Sequence, residues 1–493
     1  MSTPPTGSRV VVVGAGFAGL YAATALDRAG HRVTLVTQGL GGMQLSQGTL
    51  DVLGYRATDE RGSERVTDSL AAIDELPEEH PYRTIGADAV ERGVAEFLEL
   101  AADAPGAVVM RGDVRRPTLL PTAVGAWRPT AFVPVSMLAG APEPGKHLHI
   151  VGIRQLKDFH PQLIATNLGR TPLDGVGPVE SSWSSLDFLA RAGEIDSSPV
   201  VYARALDEPA TLSRFADRLA THVREQALPE GAVLGLPAVL GLERHPEVLS
   251  TLERASGVRI FEIVMQPPSV PGMRLNQALT RAYKAGHGRL LLGSSVVGVK
   301  SEQSAGGDQR VTAVTVHVAG GDRDIACDHV VFAPGGFESG ALELDSHDQL
   351  HETALGLPLH GVLPIEELVH GDYWGAPQKL FAVGLRTDGL QRPVDETGAV
   401  VYSNLHAAGS ILAGAYRWQE KSGEGIALGS ARRCIDAIVE TSREQTDAPA
   451  GVQGVAPREQ TDAPAGVQGV APREQTDAPA GVQGVAPREQ KGA

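Results

Sequence analysis

The chain has 493 residues and a formal net charge of −16, so it is long enough for two or more domains and too acidic for a nucleic-acid surface. Its cysteines, Cys327 and Cys434, stand far apart in no metal-ligand spacing, which predicts reduced cytosolic thiols and no zinc or iron–sulfur cluster. No apolar run reaches about 18 residues and no signal-peptide core is found, so we expect neither a transmembrane segment nor a secretory leader.

The first predicted elements are a strand, a glycine turn and a helix. Residues 9–13 are Arg-Val-Val-Val-Val, and Gly14, Gly16 and Gly19 follow in the spacing GxGxxG. Gly14 would permit the tight turn, Gly16 would let backbone N–H groups approach a phosphate, and Gly19 would let the helix pack closely on the strand. A second strand over residues 31–37 completes a βαβ unit and predicts nucleotide binding, the alternative being a purely structural glycine turn.

The second strand ends at Thr37, where dinucleotide sites usually have Asp or Glu. A carboxylate at this position accepts hydrogen bonds from the adenosine ribose, and a neutral hydroxyl is the weaker acceptor. The missing acid favours FMN, a flavin without adenosine. FAD held by other contacts stays open as the alternative.

The middle of the chain has a different pattern. Residues 81–271 mix helices and strands with proline-rich turns, which suggests an inserted cap or substrate domain, by analogy with two-dinucleotide-binding flavoproteins. We therefore expect a Rossmann-like α/β fold of this type. Its predicted parts are a flavin-binding domain over 8–80 and 272–442, the cap domain over 81–271, and a tail over 443–493.

A second group of nucleotide-fold elements follows the middle segment. A helix is predicted around residues 275–284, followed by strands at 289–293, 310–318 and 324–327. Another hydrophobic strand starts at residue 329 and leads into Gly335 and Gly336. A glycine doublet after such a strand would allow a cofactor to approach the backbone closely.

The last predicted elements are a short strand ending near Gly409 and a helix over 425–440 that starts at Gly425. If the N-terminus of this helix points at a flavin ring, its positive end would stabilise the negative charge that forms on reduction. The alternative is a glycine-rich loop that caps an ordinary helix.

A nearly perfect repeat ends the chain. The unit that starts at Arg443 recurs from Arg458 and from Arg473, and it breaks off after Arg488. Each unit has two prolines, two glycines and no aromatic residue, so it offers too little apolar surface to offset the entropy cost of ordering. We expect a disordered tail.

The segment after the second strand carries a family resemblance. Residues 38–55, Gln-Gly-Leu-Gly-Gly-Met-Gln-Leu-Ser-Gln-Gly-Thr-Leu-Asp-Val-Leu-Gly-Tyr, resemble the B subunit of anaerobic glycerol-3-phosphate dehydrogenase, as do residues 156–163, residues 267–272 and the region around Gly409. From this segment we add four candidate cofactor contacts: Gly41, Gly42, Ser46 and Gly48.

The resembled family oxidises sn-glycerol 3-phosphate to dihydroxyacetone phosphate and sends the electrons to quinone. The resemblance implies FMN, an FAD-bearing A subunit, and an iron–sulfur C subunit that attaches the complex to the cytoplasmic face of the membrane. The scarcity of cysteines agrees, because a flavoprotein without a metal centre needs another protein to carry single electrons onward.

Oxidation of a secondary alcohol requires a base beside the flavin ring. His160 and His406 are candidates, neither of which the sequence promotes, so the catalytic residue stays unassigned. Arginines suit the substrate phosphate, and Arg154, Arg274 and Arg417 are conceivable members of that site. Three alternatives stay open: an electron relay while the A subunit oxidises the substrate, a nicotinamide-dependent dehydrogenase, and a non-catalytic assembly subunit.

Overall fold

The computed structural model describes residues 7–57, 63–304, 306–372 and 375–447. The strands are, in chain order, β1 (Arg9–Val13), β2 (Arg32–Thr37), β3 (Tyr55–Ala57), β4 (Ser63–Arg65), β5 (Met110–Gly112), β6 (Thr118–Pro121), β7 (Trp127–Thr130), β8 (Phe132–Pro134), β9 (His147–Ile153), β10 (Glu180–Leu186), β11 (Val233–Pro237), β12 (Ile260–Ile263), β13 (Arg289–Leu292), β14 (Ser295–Gln303), β15 (Gln309–Val318), β16 (Gly321–Ala326), β17 (His329–Phe332), β18 (Leu342–Leu344), β19 (Leu350–Glu352) and β20 (Leu405–Ala407). The α-helices are α1 (Phe17–Arg28), α2 (Ser69–Ile73), α3 (Pro81–Ile85), α4 (Ala87–Asp103), α5 (Pro161–Arg170), α6 (Pro199–Leu206), α7 (Pro209–Gln226), α8 (His245–Ser256), α9 (Val270–Ala285), α10 (Ile365–Leu368), α11 (Arg417–Glu420) and α12 (Gly423–Asp447).

The first sheet is parallel, with the strand order β13-β2-β1-β17-β20. Its central strands are continuous apolar runs buried on both faces, as is usual where helices cover both sides of a parallel sheet. Val13 pairs with Val36 and with Phe332, so the carboxyl ends of β1, β2 and β17 meet at one edge. Ligands of open parallel sheets bind at this edge. The predicted α/β fold is confirmed.

The second sheet is also parallel and has the order β10-β9-β11-β12. Helices α5, α7 and α8 pack against it, and their apolar faces close a second hydrophobic core. Ile150 and Phe261 of the sheet are fully buried there with Leu168 of α5 and Phe215 of α7. This core extends from Trp127 to Met265 along the chain.

Helices α3 and α4 pack with the first sheet rather than with the second. Tyr82, Ile85 and Phe97 are fully buried in the first core. The predicted cap segment, 81–271, therefore contributes its first two helices to the flavin-binding part, and its exact limits stay a prediction.

Two later elements complete the first core. The antiparallel sheet β14-β15-β16 buries Val311 and Val314 in it, and α12 buries Ile426 and Ile435. Helix α12 is longer than the predicted helix over 425–440 and takes in the first residues of the repeat. These residues include Arg, Glu and Gln, which favour helix, and they precede Pro449, which disfavours it. The predicted disorder of the remaining repeat, 448–493, lies outside the described residues.

Candidate functional site

A cavity of about 1400 Å³ opens at the carboxyl edge of the first sheet. Small-molecule pockets usually measure roughly 300–1,000 Å³, so this cavity has room for a ligand as large as a flavin nucleotide. Its wall includes the glycine turn after β1, the loop after β2, the segments after β17 and β20, part of β7 and the start of α12.

The glycine turn has the geometry that binding of a phosphate requires. Gly14 has φ +93°, and a Cβ there would overlap the carbonyl of Ala333; a Cβ on Gly19 would overlap the carbonyl of Gly14. Gly16 is different, because a Cβ there would meet no heavy atom within 4 Å. Helix α1 starts directly after Gly16 without a side-chain cap, so its first N–H groups border open space and suit an anion.

Thr37 lines the cavity at the end of β2, but its hydroxyl donates to the carbonyl of Gly39 at 2.7 Å. The carboxylates among the residues that line this cavity belong to Asp51, Glu338 and Glu424, and none of these follows β2 directly. The described wall at the end of β2 therefore has no carboxylate for an adenosine ribose.

The loop after β2 lies directly on the glycine turn. Gly41 has φ +78°, and a Cβ there would overlap the carbonyl of Ala15. Gly42 and Ser46 line the cavity as well. Gly48 instead packs against the backbone around residue 271 and does not line the wall.

Among the later predicted glycines, some also line the cavity and others do not. Gly335, with φ +101°, and Gly409, with φ +82°, line the cavity, whereas Gly336 does not. Gly425 is a packing glycine, because its N–H donates to the carbonyl of Asp51 at 2.8 Å and a Cβ there would overlap a tyrosine hydroxyl. The predicted contacts that line the cavity are Gly14, Gly16, Thr37, Gly41, Gly42, Ser46, Gly335 and Gly409. Their role in binding stays a prediction.

Another part of the same wall carries charged side chains. Arg128 of β7 forms an ion pair with Asp51, and it also donates to Gln47 and, at 3.4 Å, to Thr49. Glu424, in the first turn of α12, accepts a long hydrogen bond from the backbone N–H of Asp51 at 3.4 Å. A carboxylate pair and an arginine thus meet at the cavity although they come from three separate segments.

Burial changes the protonation of this group. Burial and the charge of Asp51 raise the pKa of Glu424 to about 7, against the opposing effect of Arg128. Burial, with Arg128 nearby, lowers the pKa of Lys421, and burial also lowers the pKa of Arg417. A carboxylic acid that titrates near neutrality in a cleft is a candidate acid–base group.

Within the described part of the chain, three buried polar atoms in residues of this wall have no hydrogen-bond partner: Asp51 Oδ1, Trp127 Nε1 and Arg417 Nη1. Buried polar groups are hydrogen-bonded in the large majority of cases, so such atoms call for an explanation. A bound ligand with polar groups would provide one.

The other candidates from the sequence lie elsewhere, except Arg417. His160 lines a separate surface cavity beside α5. His406 is buried, with its Nδ1 2.8 Å from the carbonyl of Leu390. Arg154 is exposed beside Asp187, and the side chain of Arg274 is bound to Glu262 in a buried ion pair.

Sequence reasoning missed the group of Asp51, Arg128, Lys421 and Glu424. Asp51 lies inside the segment that carries the family resemblance, and Glu424 stands between Gly423 and Gly425 at the start of α12. These two positions are the sequence features that could have identified Asp51 and Glu424. No sequence feature points to Arg128, because β7 is remote in the chain from both carboxylates.

A comparison with known protein families agrees with a nucleotide-binding cavity at this edge of the sheet. Residues 9–426 match the family model described as FAD binding domain. The chain is therefore a flavin-dependent oxidoreductase of this FAD-binding class.

Sequence similarity to individual proteins identifies the family within this class. The probable B subunit of anaerobic glycerol-3-phosphate dehydrogenase from Halobacterium salinarum is 32% identical over 445 residues, covering 89% of this chain and 99% of the relative. The corresponding B subunit from Yersinia pseudotuberculosis is 30% identical, covering 87% and 97%. The chain belongs to the family of B subunits of anaerobic glycerol-3-phosphate dehydrogenase, which confirms the resemblance.

A solved 3-ketosteroid delta1-dehydrogenase from Sterolibacterium denitrificans aligns with 88% of this chain and 99% of its own, at 11% identity and a TM-score of 0.40, a likeness too weak to add to the assignment. Within the described residues, no helix combines the length and the apolar character needed to cross a membrane.

Proposed function

We propose that this chain is the flavin-bearing subunit of a respiratory dehydrogenase that oxidises sn-glycerol 3-phosphate to dihydroxyacetone phosphate and passes the electrons to quinone. The names of its relatives support the reaction and the substrate. The observation that carries the proposal is a single cavity that joins the glycine turn to a wall containing Arg128, Arg417 and Lys421. The phosphate of the flavin needs the backbone N–H donors of the turn, and the phosphate of the substrate needs the positively charged side chains.

The residues of the cavity would divide these tasks. The free N–H groups at the start of α1 would hold the flavin phosphate, with Gly16 leaving space for its approach and Gly14 and Gly41 allowing the two loops to pack closely. The flavin, when bound, supplies the hydride acceptor. Arg417, whose Nη1 has no hydrogen-bond partner and whose nearest carboxylate, that of Glu338, is 3.9 Å away, would bind the phosphate of the substrate.

FMN is the flavin we propose, with FAD as the alternative. The wall at the end of β2 has no carboxylate for a ribose, and the hydroxyl of Thr37 is already bonded to Gly39, which favours FMN. The description of the matching family and the size of the cavity favour FAD. The mass of the extracted flavin decides between them.

The partners we propose are an FAD-bearing A subunit and an iron–sulfur C subunit, with the complex on the cytoplasmic face of the membrane. The relatives are named as subunits, so this family works in an assembly. Exposed apolar side chains border the cavity, among them Leu45 (56% exposed), Val124 (59%) and Trp418 (47%). Such side chains are suited to a protein partner that covers the cavity.

The test is made on the full chain, alone and assembled with its partners. We expect the chain to carry a flavin, identified by mass after denaturation, and sn-glycerol 3-phosphate to bleach its absorption under anaerobic conditions. Glycerol, which lacks the phosphate, is the control and should bleach it far more slowly. Folded protein that binds no flavin, alone or in the complex, would overturn the proposal.

The same experiment separates direct oxidation from an electron relay. Bleaching of the isolated chain by the substrate indicates that this cavity oxidises it. Bleaching that requires the A subunit indicates that this chain receives its electrons from the partner.

A further inference from the structure

We propose that Glu424 is the proton acceptor for the substrate hydroxyl in this cavity and that Asp51 and Arg128 are its positioning residues. The inference rests on the proposed function and deepens it, because flavin-dependent oxidation of an alcohol needs a base that the sequence did not identify.

Hydrogen bonds to the backbone of Asp51 keep the side chains of Asp51 and Glu424 close together. Glu424 lines the cavity from the first turn of α12, and one of its carboxylate oxygens lies 3.4 Å from the backbone N–H of Asp51. The carbonyl of Asp51 in turn accepts from the N–H of Gly425 at 2.8 Å. These two contacts fix the start of α12 on the loop that follows β2. The carboxylate of Glu424 is thereby held at the cavity wall.

The two acids differ in their neighbours. The side chain of Asp51 is 2% exposed and forms an ion pair with the guanidinium of Arg128. Among the residues that the structure describes, Glu424 forms no ion pair, and it lies next to the negative charge of Asp51. The burial of Glu424 and the neighbouring charge of Asp51 both raise the pKa of Glu424, so they favour its protonated form.

Two further titratable side chains, those of Lys421 and Tyr82, lie near Glu424 in addition to Asp51 and Arg128. Lys421 precedes α12 and lies within electrostatic range of both acids. Tyr82 also lies within electrostatic range of Glu424, and its hydroxyl donates to the carbonyls of Val52 and Ser422. Burial and the acids nearby, Glu420 first, raise the pKa of Tyr82 well above its usual value, so this phenol stays neutral. The burial of Glu424 and the charge of Asp51 raise the pKa of Glu424 to about 7, which suits a base that works near neutral pH.

The step balances with the flavin as oxidant. The O–H bond of the secondary alcohol breaks, and its proton goes to a carboxylate oxygen of Glu424. The C–H bond on the same carbon breaks, and its hydrogen leaves with both electrons as hydride to the oxidised flavin. The oxygen's electron pair forms the C=O bond of the ketone product. Glu424 then releases its proton to solvent before the next turnover.

The central experiment compares Glu424→Gln with the unchanged chain in the assembled complex. We expect kcat/KM for sn-glycerol 3-phosphate to fall by roughly 10²–10⁴-fold, the usual contribution of a general base. In the unchanged complex, kcat/KM should rise with pH through about 7, because the base must be ionised, and this rise should disappear in Glu424→Gln. The matched control is Glu440→Gln, an exposed position on the same helix, which should keep both the rate and the profile.

A spectroscopic measurement tests the same residue without turnover. Infrared difference spectra of the flavin-loaded chain should show a carboxylic acid C=O band that titrates near pH 7 and is absent in Glu424→Gln. Asp51→Asn removes the neighbouring negative charge and should move this titration and the rate profile to lower pH. A merely structural role of Asp51 would not produce that shift.

The outcomes separate this inference from the proposed function. If the unchanged complex oxidises the substrate and Glu424→Gln keeps its rate and its pH profile, Glu424 is not the base and the proposed function stands. A complex that binds flavin but never oxidises the substrate refutes the proposed function, and the base assigned here fails with it.

Discussion

Buried polar side chains at the two parallel sheets of this chain differ in how their hydrogen-bonding groups are satisfied. In the second sheet and helix α7, hydrogen bonds of 2.7–2.8 Å connect His147, Ser182, His149, Ser184 and His222 in one continuous series. Each hydroxyl in the series has a histidine on either side. The polar groups of this series satisfy one another within the protein.

The cavity wall at the first sheet is arranged in the opposite way. Asp51, Trp127 and Arg417 each keep a buried polar atom without a partner, and Gly16 leaves open space before helix α1. Satisfied polar groups stabilise a fold, whereas unsatisfied ones beside open space indicate where a ligand completes the structure. From this comparison we expect the histidine series to have a structural role and the cavity wall to bind a ligand.

Replacing Gly16 with valine is expected to have the largest effect. A Cβ there meets no heavy atom within 4 Å, so the fold should survive, but the valine fills the space next to the free N–H groups of α1. Loss of two hydrogen bonds to a charged phosphate, at about 1.5–3 kcal/mol each, corresponds to roughly 10²–10⁴-fold weaker flavin binding. Fluorescence titration with the flavin measures the dissociation constant.

The control for this substitution is Gly298→Val in the antiparallel sheet. A Cβ at Gly298 also meets no heavy atom within 4 Å, but this residue does not line the cavity. Flavin binding that is equally strong in both variants would refute the binding role of the glycine turn.

Breaking the ion pair between Arg274 and Glu262 should destabilise the second core. Arg274 donates to both carboxylate oxygens of Glu262 at 2.7 and 2.9 Å, and Ser136 donates to the same carboxylate. Burial would raise the pKa of Glu262, but Arg274 and other neighbours hold it at about 2. Arg274→Met leaves this charge unpaired, so the free energy of unfolding in urea should fall by about 3–5 kcal/mol.

The matched control is Arg154→Met. Arg154 is exposed and lies 3.5 Å from Asp187, so its loss should cost no more than about 1 kcal/mol. If the two substitutions cost the same, the buried pair does not stabilise the core as proposed. Flavin affinity should stay unchanged in both variants, since neither arginine lines the cavity.

The histidine series should make the second core sensitive to acid. Burial, with His147 and His222 nearby, lowers the pKa of His149 from 6.5 to about 4 in the folded chain. The unfolded chain therefore binds the extra proton between these values, and stability falls as the pH drops from about 6.5 to about 4. The loss amounts to about 3 kcal/mol.

Urea unfolding at several pH values checks this prediction. The difference in free energy of unfolding between the unchanged chain and His149→Gln should shrink or reverse as the pH falls through that window. Parallel curves for the two proteins would show that His149 does not cause the acid sensitivity.

Much of the fold at the first sheet could be predicted because its signals are local. The valine run of β1 and the spacing of Gly14, Gly16 and Gly19 lie within a dozen residues and define strand, turn and helix together. The family could be recognised from residues 38–55 for the same reason. Helix α12 ends later than the sequence predicts, because the prolines of the repeat indicate disorder whereas its first residues favour helix.

The charged part of the cavity could not be predicted in the same way. His160 and His406 are candidate bases by residue type, but the sequence promotes neither, and neither lies in the cavity wall that contains Glu424. A histidine titrates near neutral pH in water, whereas a glutamate does so only after burial beside another negative charge. Burial of that kind is not visible in the order of residues.

The βαβ unit, the glycine turn and the family can be recognised from the order of residues alone, because apolar periodicity and the conformational freedom of glycine act over a few neighbouring residues. The meeting of Asp51, Arg128 and Glu424 depends on folding, since a loop, a strand and a helix from distant parts of the chain must pack before these residues can touch. The protonation of Glu424 follows from that packing, because an electrostatic interaction depends on distance in space and on exclusion of water.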